Sequence, residues 1–114
     1  MQELFNLFKE MGYEYDRQGS VSLENYPNSF FTYWNFDTPN LKSRDNVSKS
    51  YVEYVNVYFY TQNARLIYSV MDDFIKRAKQ KGFIVEGKAK DTPADKENYF
   101  GRLVTIKIVH KEEY

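Results

Sequence analysis

Cysteine is absent from the 114 residues. Disulfides, thiol catalysis and cysteine-based zinc sites are therefore excluded. Histidine occurs once, at His110, in a charged segment near the end of a predicted strand. Acid–base catalysis needs a partnered group in a pocket, so this imidazole reads as a surface residue. Net charge is also lacking: 16 basic residues balance 16 acidic ones. No global field draws the chain to nucleic acid or to an anionic membrane. No apolar run approaches the roughly 20 residues that span a bilayer. The stretch MQELFNLFKEMGY carries acidic residues early and has no signal-type apolar core. Together these absences predict a soluble protein made inside a cell, with no membrane partner. Asn46-Val47-Ser48 matches a glycosylation acceptor, but without a secretory signal the match carries no weight.

Chemical motifs are missing as well. There is no P-loop, nucleophile elbow, dinucleotide fingerprint or calcium-loop pattern. Asp72 and Asp73 are adjacent on a predicted helix, so their side chains point about 100° apart and form no catalytic pair. They read as a solvated face. Asp37, Asp91, Asp95 and Glu97 could collectively bind a cation, yet they do not form the D-x-[DN]-x-[DN]-G pattern of a calcium loop. The expectation is a protein that is not an enzyme and needs no cofactor or metal.

What the chain does have is aromatic mass: 18% of residues, including 11 Tyr and 9 Phe. Its length suits one domain, residues 1–114, around one core. Leu4, Phe5, Leu7, Phe8 and Met11 recur at helical spacing, and Gly12 can end that helix. Residues 13–28 are weakly patterned. FFTYWNF at 30–36 predicts a strand, and DTPNLKSRDN at 37–46 a loop that stays mobile until something binds it. YVEYVNVYFYT, within 50–61, predicts a second strand. Asn63 is a candidate N-cap for a helix over 64–81, with Ile67, Val70, Met71, Phe74, Ile75 and Ala78 on its apolar face and Gly82 beyond its end. A short strand over 83–88, a polar loop over 91–98 and a strand over 99–109 complete the order.

This order predicts an α+β fold, with a mostly antiparallel four-stranded sheet and two helices packed on one face. The period of two sends Val55, Val57 and Phe59 to one side of the central strand and Tyr54, Asn56, Tyr58 and Tyr60 to the other. The helices should cover the first side. No third helix is in view to cover the second, so the Tyr side should be open or met by another chain. Stacked aromatics on a sheet also suit single-stranded nucleic acid. Against that, the strand carries Glu53 and no basic residue, and the RNA-recognition signature is missing.

Three segments taken in order resemble the small tail-completion or tail-terminator proteins of long-tailed phages and prophages of low-GC Gram-positive bacteria. They are SFFTYWNFDTPNLKSRDN, then SYVEYVNVYFYTQN with its amphipathic helix, then KGF, an aspartate-containing loop and YFGRLVTIKI. The resemblance covers roughly residues 26–109. It implies an α+β fold without enzymatic activity or cofactor. It also implies a self-assembled ring that caps the head-proximal end of the tail tube and meets the head connector. The tail tube protein and the connector protein would then be partners, and the chain would reside in the virion and, during assembly, in the host cytoplasm. An isolated subunit of such a ring can be monomeric until templated. Tyr54, Tyr58 and Tyr60, with loop residues Asp37, Asn40, Lys42, Arg44 and Asp45, are the candidate protein interface. Other readings stay open: another neck or tail component, a small cytosolic protein-binding module using the Tyr face, or a single-strand nucleic-acid binder.

Overall fold

The computed structural model describes residues 2–21, 25–36 and 49–112, and in the last stretch the side chains of 52–110. The fold is α+β. Its elements in chain order are α1 (Gln2–Met11), β1 (Glu14–Arg17), β2 (Ser29–Phe36), β3 (Lys49–Thr61), α2 (Leu66–Gln80), β4 (Ile84–Thr92) and β5 (Phe100–Glu112). The strands form one sheet in the order β1-β2-β3-β5-β4. Three of its pairings are antiparallel, but β1 pairs parallel to β2.

The sheet is thus five-stranded and mixed rather than four-stranded. The sequence hides β1 because EYDR is only four residues long, largely charged and at the sheet edge, where charge blunts unwanted pairing. Its direction has a consequence. Parallel neighbours cannot be joined by a tight turn; the chain must cross over between them. Here the crossing lies between Arg17 and Ser29, and Val21 and Tyr26 from it land on the face opposite the helices.

Both helices pack on the other face. Leu4, Leu7 and Phe8 of α1 and Ile67, Val70, Met71, Phe74 and Ala78 of α2 share one cluster with Phe31, Val55, Val57, Phe59, Val104, Ile106 and Ile108. The register aligns Phe31 with Phe59, Val57 with Val104 and Val55 with Ile106, so the apolar positions of three strands meet one helical layer. Rings interlock there: Phe8 lies 4.8 Å from Phe31 and 5.8 Å from Phe74. Val57, Phe59, Phe74 and Ile106 are fully buried, as their periodicity predicts.

Each helix stops at a glycine with left-handed backbone, Gly12 at φ 83° and Gly82 at φ 92°. The residue after each glycine donates its N–H back to the helix, Tyr13 to Phe8 and Phe83 to Ala78, satisfying end carbonyls. At its start, α2 begins later than its periodicity suggests, at Leu66. Asn63 still serves the helix entry, since its Oδ1 accepts the Arg65 N–H at 3.0 Å.

β4 is longer than predicted and carries a bulge. Glu86 pairs with Thr105 and Lys90 with Leu103, so three residues of β4 stand opposite one of β5. Gly87, at φ 67°, supplies the turn that this needs. β3 and β5 outrun their neighbours. The pairs from Lys49–Glu112 to Glu53–Ile108 have no flanking strand among the described residues. The resulting two-stranded arm contributes to an elongated shape of 51 × 26 × 23 Å.

Candidate functional site

The face away from the helices divides into two halves. One half is a second small core. Phe30, Tyr60 and Tyr99 are buried together, with Val21, Tyr26, Tyr58 and Ala94 packed against them. Tyr99 Oη donates to the carbonyls of Pro27, at 2.7 Å, and Tyr26, at 3.2 Å, fastening the crossover to the start of β5. Gln18, also on the crossover, donates from Nε2 to Tyr60 Oη at 3.0 Å and accepts from Thr32 Oγ1. The Tyr60 ring covers Gly101 so closely that a Cβ there would stand 2.9 Å from its Cε1 and 2.7 Å from the Thr92 carbonyl oxygen.

Burial has an electrostatic signature in this half. It pushes the Tyr60 phenol up to about 12, partly offset by the Gln18 hydrogen bond. Tyr99 is raised by burial too. Tyr26 is raised mainly by burial, with Asp95 and Tyr99 adding to it.

Tyr60 is therefore not open. At 6% exposed it belongs to the protein's own interior, which corrects the expectation of an uncovered Tyr side for this residue. The cover is not a helix. It comes from the crossover and from residues 94–99, two stretches whose polar turn residues gave no sign of a packing role. Tyr58 is half-buried and stacks on Tyr60 at 6.0 Å, so it sits on the boundary.

The other half has no such cover among the described residues. Trp34 is 43% exposed, Phe36 39%, Ile84 45% and Val109 46%. Tyr54 is half-buried and stacks on Phe36 at 5.6 Å. The register explains the grouping: Phe36 pairs with Tyr54, Tyr54 with Lys107 and Lys107 with Ile84, a row across four strands. Cations lie over the rings, with Arg17 5.1 Å from the centre of Trp34 and Lys107 5.9 Å from that of Tyr54. Polar positions between the rings are satisfied: Thr105 Oγ1 donates to Asn56 Oδ1 at 2.6 Å, and Lys107 pairs with Glu86 at 3.7 Å.

The remaining candidates come apart in space or fall elsewhere. Asp37, Asn40, Lys42, Arg44 and Asp45 lie outside the described residues. Asp91 pairs with Arg102 at 2.6 Å. Asp73 pairs with Arg77 at 3.0 Å, in a surface network that also holds Glu10 and Lys81. His110 is not a free surface ring: its Nε2 lies 3.0 Å from Glu53 Oε1, and Glu53 Oε2 accepts from Asn35. Among the described residues no group of three His, Asp or Glu side chains converges on a common point. A concavity of about 520 Å³ at the start of α2 is lined by Asn28, Ser29, Thr61, Gln62, Asn63, Ala64, Leu66 and Phe100, none of which titrates near neutral pH. No described helix is long and apolar enough to cross a membrane.

No protein-family model matches the chain, and no curated protein matches it significantly.

Proposed function

We propose that this protein is a non-enzymatic assembly subunit whose bare half-face is a protein–protein interface. The subunit we have in mind caps the head-proximal end of a phage tail tube as part of a ring and joins it to the head connector. The observation that carries the reading is the contrast on one sheet face. The chain covers Tyr60 with its own crossover, yet leaves Trp34, Phe36, Ile84 and Val109 in water. Contiguous exposed apolar surface rimmed by polar groups marks an interaction site. Trp, Tyr and Phe are enriched at such surfaces, where they gain contact area at low entropy cost. The virion role, with the tail tube protein, the connector protein and further copies of the chain as partners, is supported by the ordered resemblance of residues 26–109. Ring formation needs a heterologous contact that closes by rotation, and a half-face on one side of an elongated subunit suits that geometry.

The test is a complementation assay with Trp34→Ser and Tyr54→Ser. Both variants fold as well as the parent, and tails joined to heads fall at least about tenfold, as expected for loss of interface aromatics. Normal joining by two folded variants would overturn the reading.

A further inference from the structure

The bare half-face contains a groove, and its charge identifies an occupant. The floor is apolar: the stacked pair Phe36–Tyr54, with Leu103 beside it. The wall is β4 at its bulge, where Glu86, Lys88 and Lys90 line a space of about 350 Å³. Glu86 pairs with Lys107 at 3.7 Å. The side-chain ammonium groups of Lys88 and Lys90 make no hydrogen bond or ion pair with any described residue. Among the described residues, the groove therefore has two lysines without a carboxylate partner along one wall, and an aromatic floor.

Resting on the interface reading above, we propose that this groove receives an extended acidic segment of another protein chain, anchored by one large apolar side chain. The anchor lies on the Phe36–Tyr54 stack, and flanking carboxylates meet Lys88 and Lys90. The bulge supports recognition by side chains over simple strand addition, because residues 87–89 leave the regular ladder and that part of the edge cannot template a continuous new strand. Nucleic acid fits less well. Tight phosphate binding uses several cations along a track, whereas here only two lysines lack a partner among the described residues, Glu86 stands between them and Lys107, and Glu14 and Asp16 occupy the same sheet face beyond β2.

The probe is the peptide acetyl-Glu-Asp-Phe-Asp-Glu-amide, titrated into isotope-labelled protein and followed by amide chemical shifts. Shifts are expected at Phe36, Tyr54, Lys88 and Leu103. The Lys88→Glu/Lys90→Glu variant should weaken binding about tenfold, as should a rise in salt that screens exposed charge. Both lysines are exposed, and unchanged amide dispersion at Phe74 verifies the fold of the variant. The neutral counterpart acetyl-Gln-Asn-Phe-Asn-Gln-amide should bind several-fold more weakly. Equal binding of the two peptides, or no shift at the groove with either, overturns the proposal. So does tighter binding of a twelve-residue oligothymidylate at the same residues. So do concentration-dependent shifts there without peptide, which would assign the groove to a second copy of the chain. Failure here is separable from failure of the interface reading. A Lys88→Glu/Lys90→Glu variant that joins heads to tails normally, while Trp34→Ser does not, removes the acidic partner and leaves the interface standing.

Discussion

The two halves of the face opposite the helices have similar residues and opposite fates. Phe30, Tyr60 and Tyr99 form one aromatic group; Trp34, Phe36 and Tyr54 form the other. Composition does not separate them, and neither does the period of two, which places Phe30, Trp34 and Phe36 on the same side of β2. What separates them is the direction of β1. A parallel edge strand requires a crossover, and the crossover can lie over only one end of the sheet. An exposed aromatic face is thus a statement about connections as much as about strands.

The comparison can be broken most forcefully at the buried end. Tyr60→Ala removes a ring that packs on Phe30 and shields Gly101. It should cost about 3–5 kcal/mol in a denaturant melt, the range for large-to-small changes at buried aromatics. Phe74→Ala, in the helix-side core, sets the scale with a loss of similar size. A loss under about 1 kcal/mol at Tyr60, with the full loss at Phe74, would mean that the second cluster is a contact without a core's energetics.

A smaller effect is expected at the fastening of the crossover. Tyr99→Phe removes the hydroxyl that donates to the Pro27 and Tyr26 carbonyls while leaving the ring. The cost should be about 1 kcal/mol by denaturant melt. Faster amide exchange at Asn25, Tyr26 and Asn28 should accompany it, and unchanged exchange there would show that the bond does not hold the segment.

Alkali probes the same half. The folded pKa of Tyr60, about 12, lies above the ordinary value of 10.0. Below pH 10 the phenol is neutral in both states, and its contribution to stability is fully present. Between 10 and 12 the unfolded chain loses this proton first, so stability falls as pH rises through that window. The fall should be shallower in Tyr60→Phe. Identical pH slopes for parent and variant would place the phenol in water.

The main helix and the central strands were readable from their periodicity. Val57, Phe59, Phe74 and Ile106 lie where alternation and helical spacing put them, and Gly12 and Gly82 end their helices as glycines do. Two kinds of information were not readable. The EYDR strand is too short and too charged to give a pattern, so the fifth strand and its crossover had no local signal. The burial of Tyr60 depends on Gln18, Tyr26 and Tyr99, partners 34 to 42 residues away along the chain. A hint did exist, in that Tyr26 stands within otherwise polar turn sequence, where an aromatic ring has little reason to be unless it packs. For the candidate interface, alternation separated the helix-covered face from the one opposite, but not where on that opposite face the chain's own cover ends.

The bare half should respond least in stability and most in assembly. The most direct test compares Trp34→Ser with Tyr60→Ser, each studied by a denaturant melt and by a count of joined particles. Trp34→Ser should stay within about 1 kcal/mol of the parent, because an exposed ring with one cation contact carries little folding energy, and it should lose joining. Tyr60→Ser should unfold at markedly lower denaturant. A Trp34→Ser chain that is as destabilised as Tyr60→Ser, or that joins particles normally, would contradict the division of this face into an interior half and an interface half.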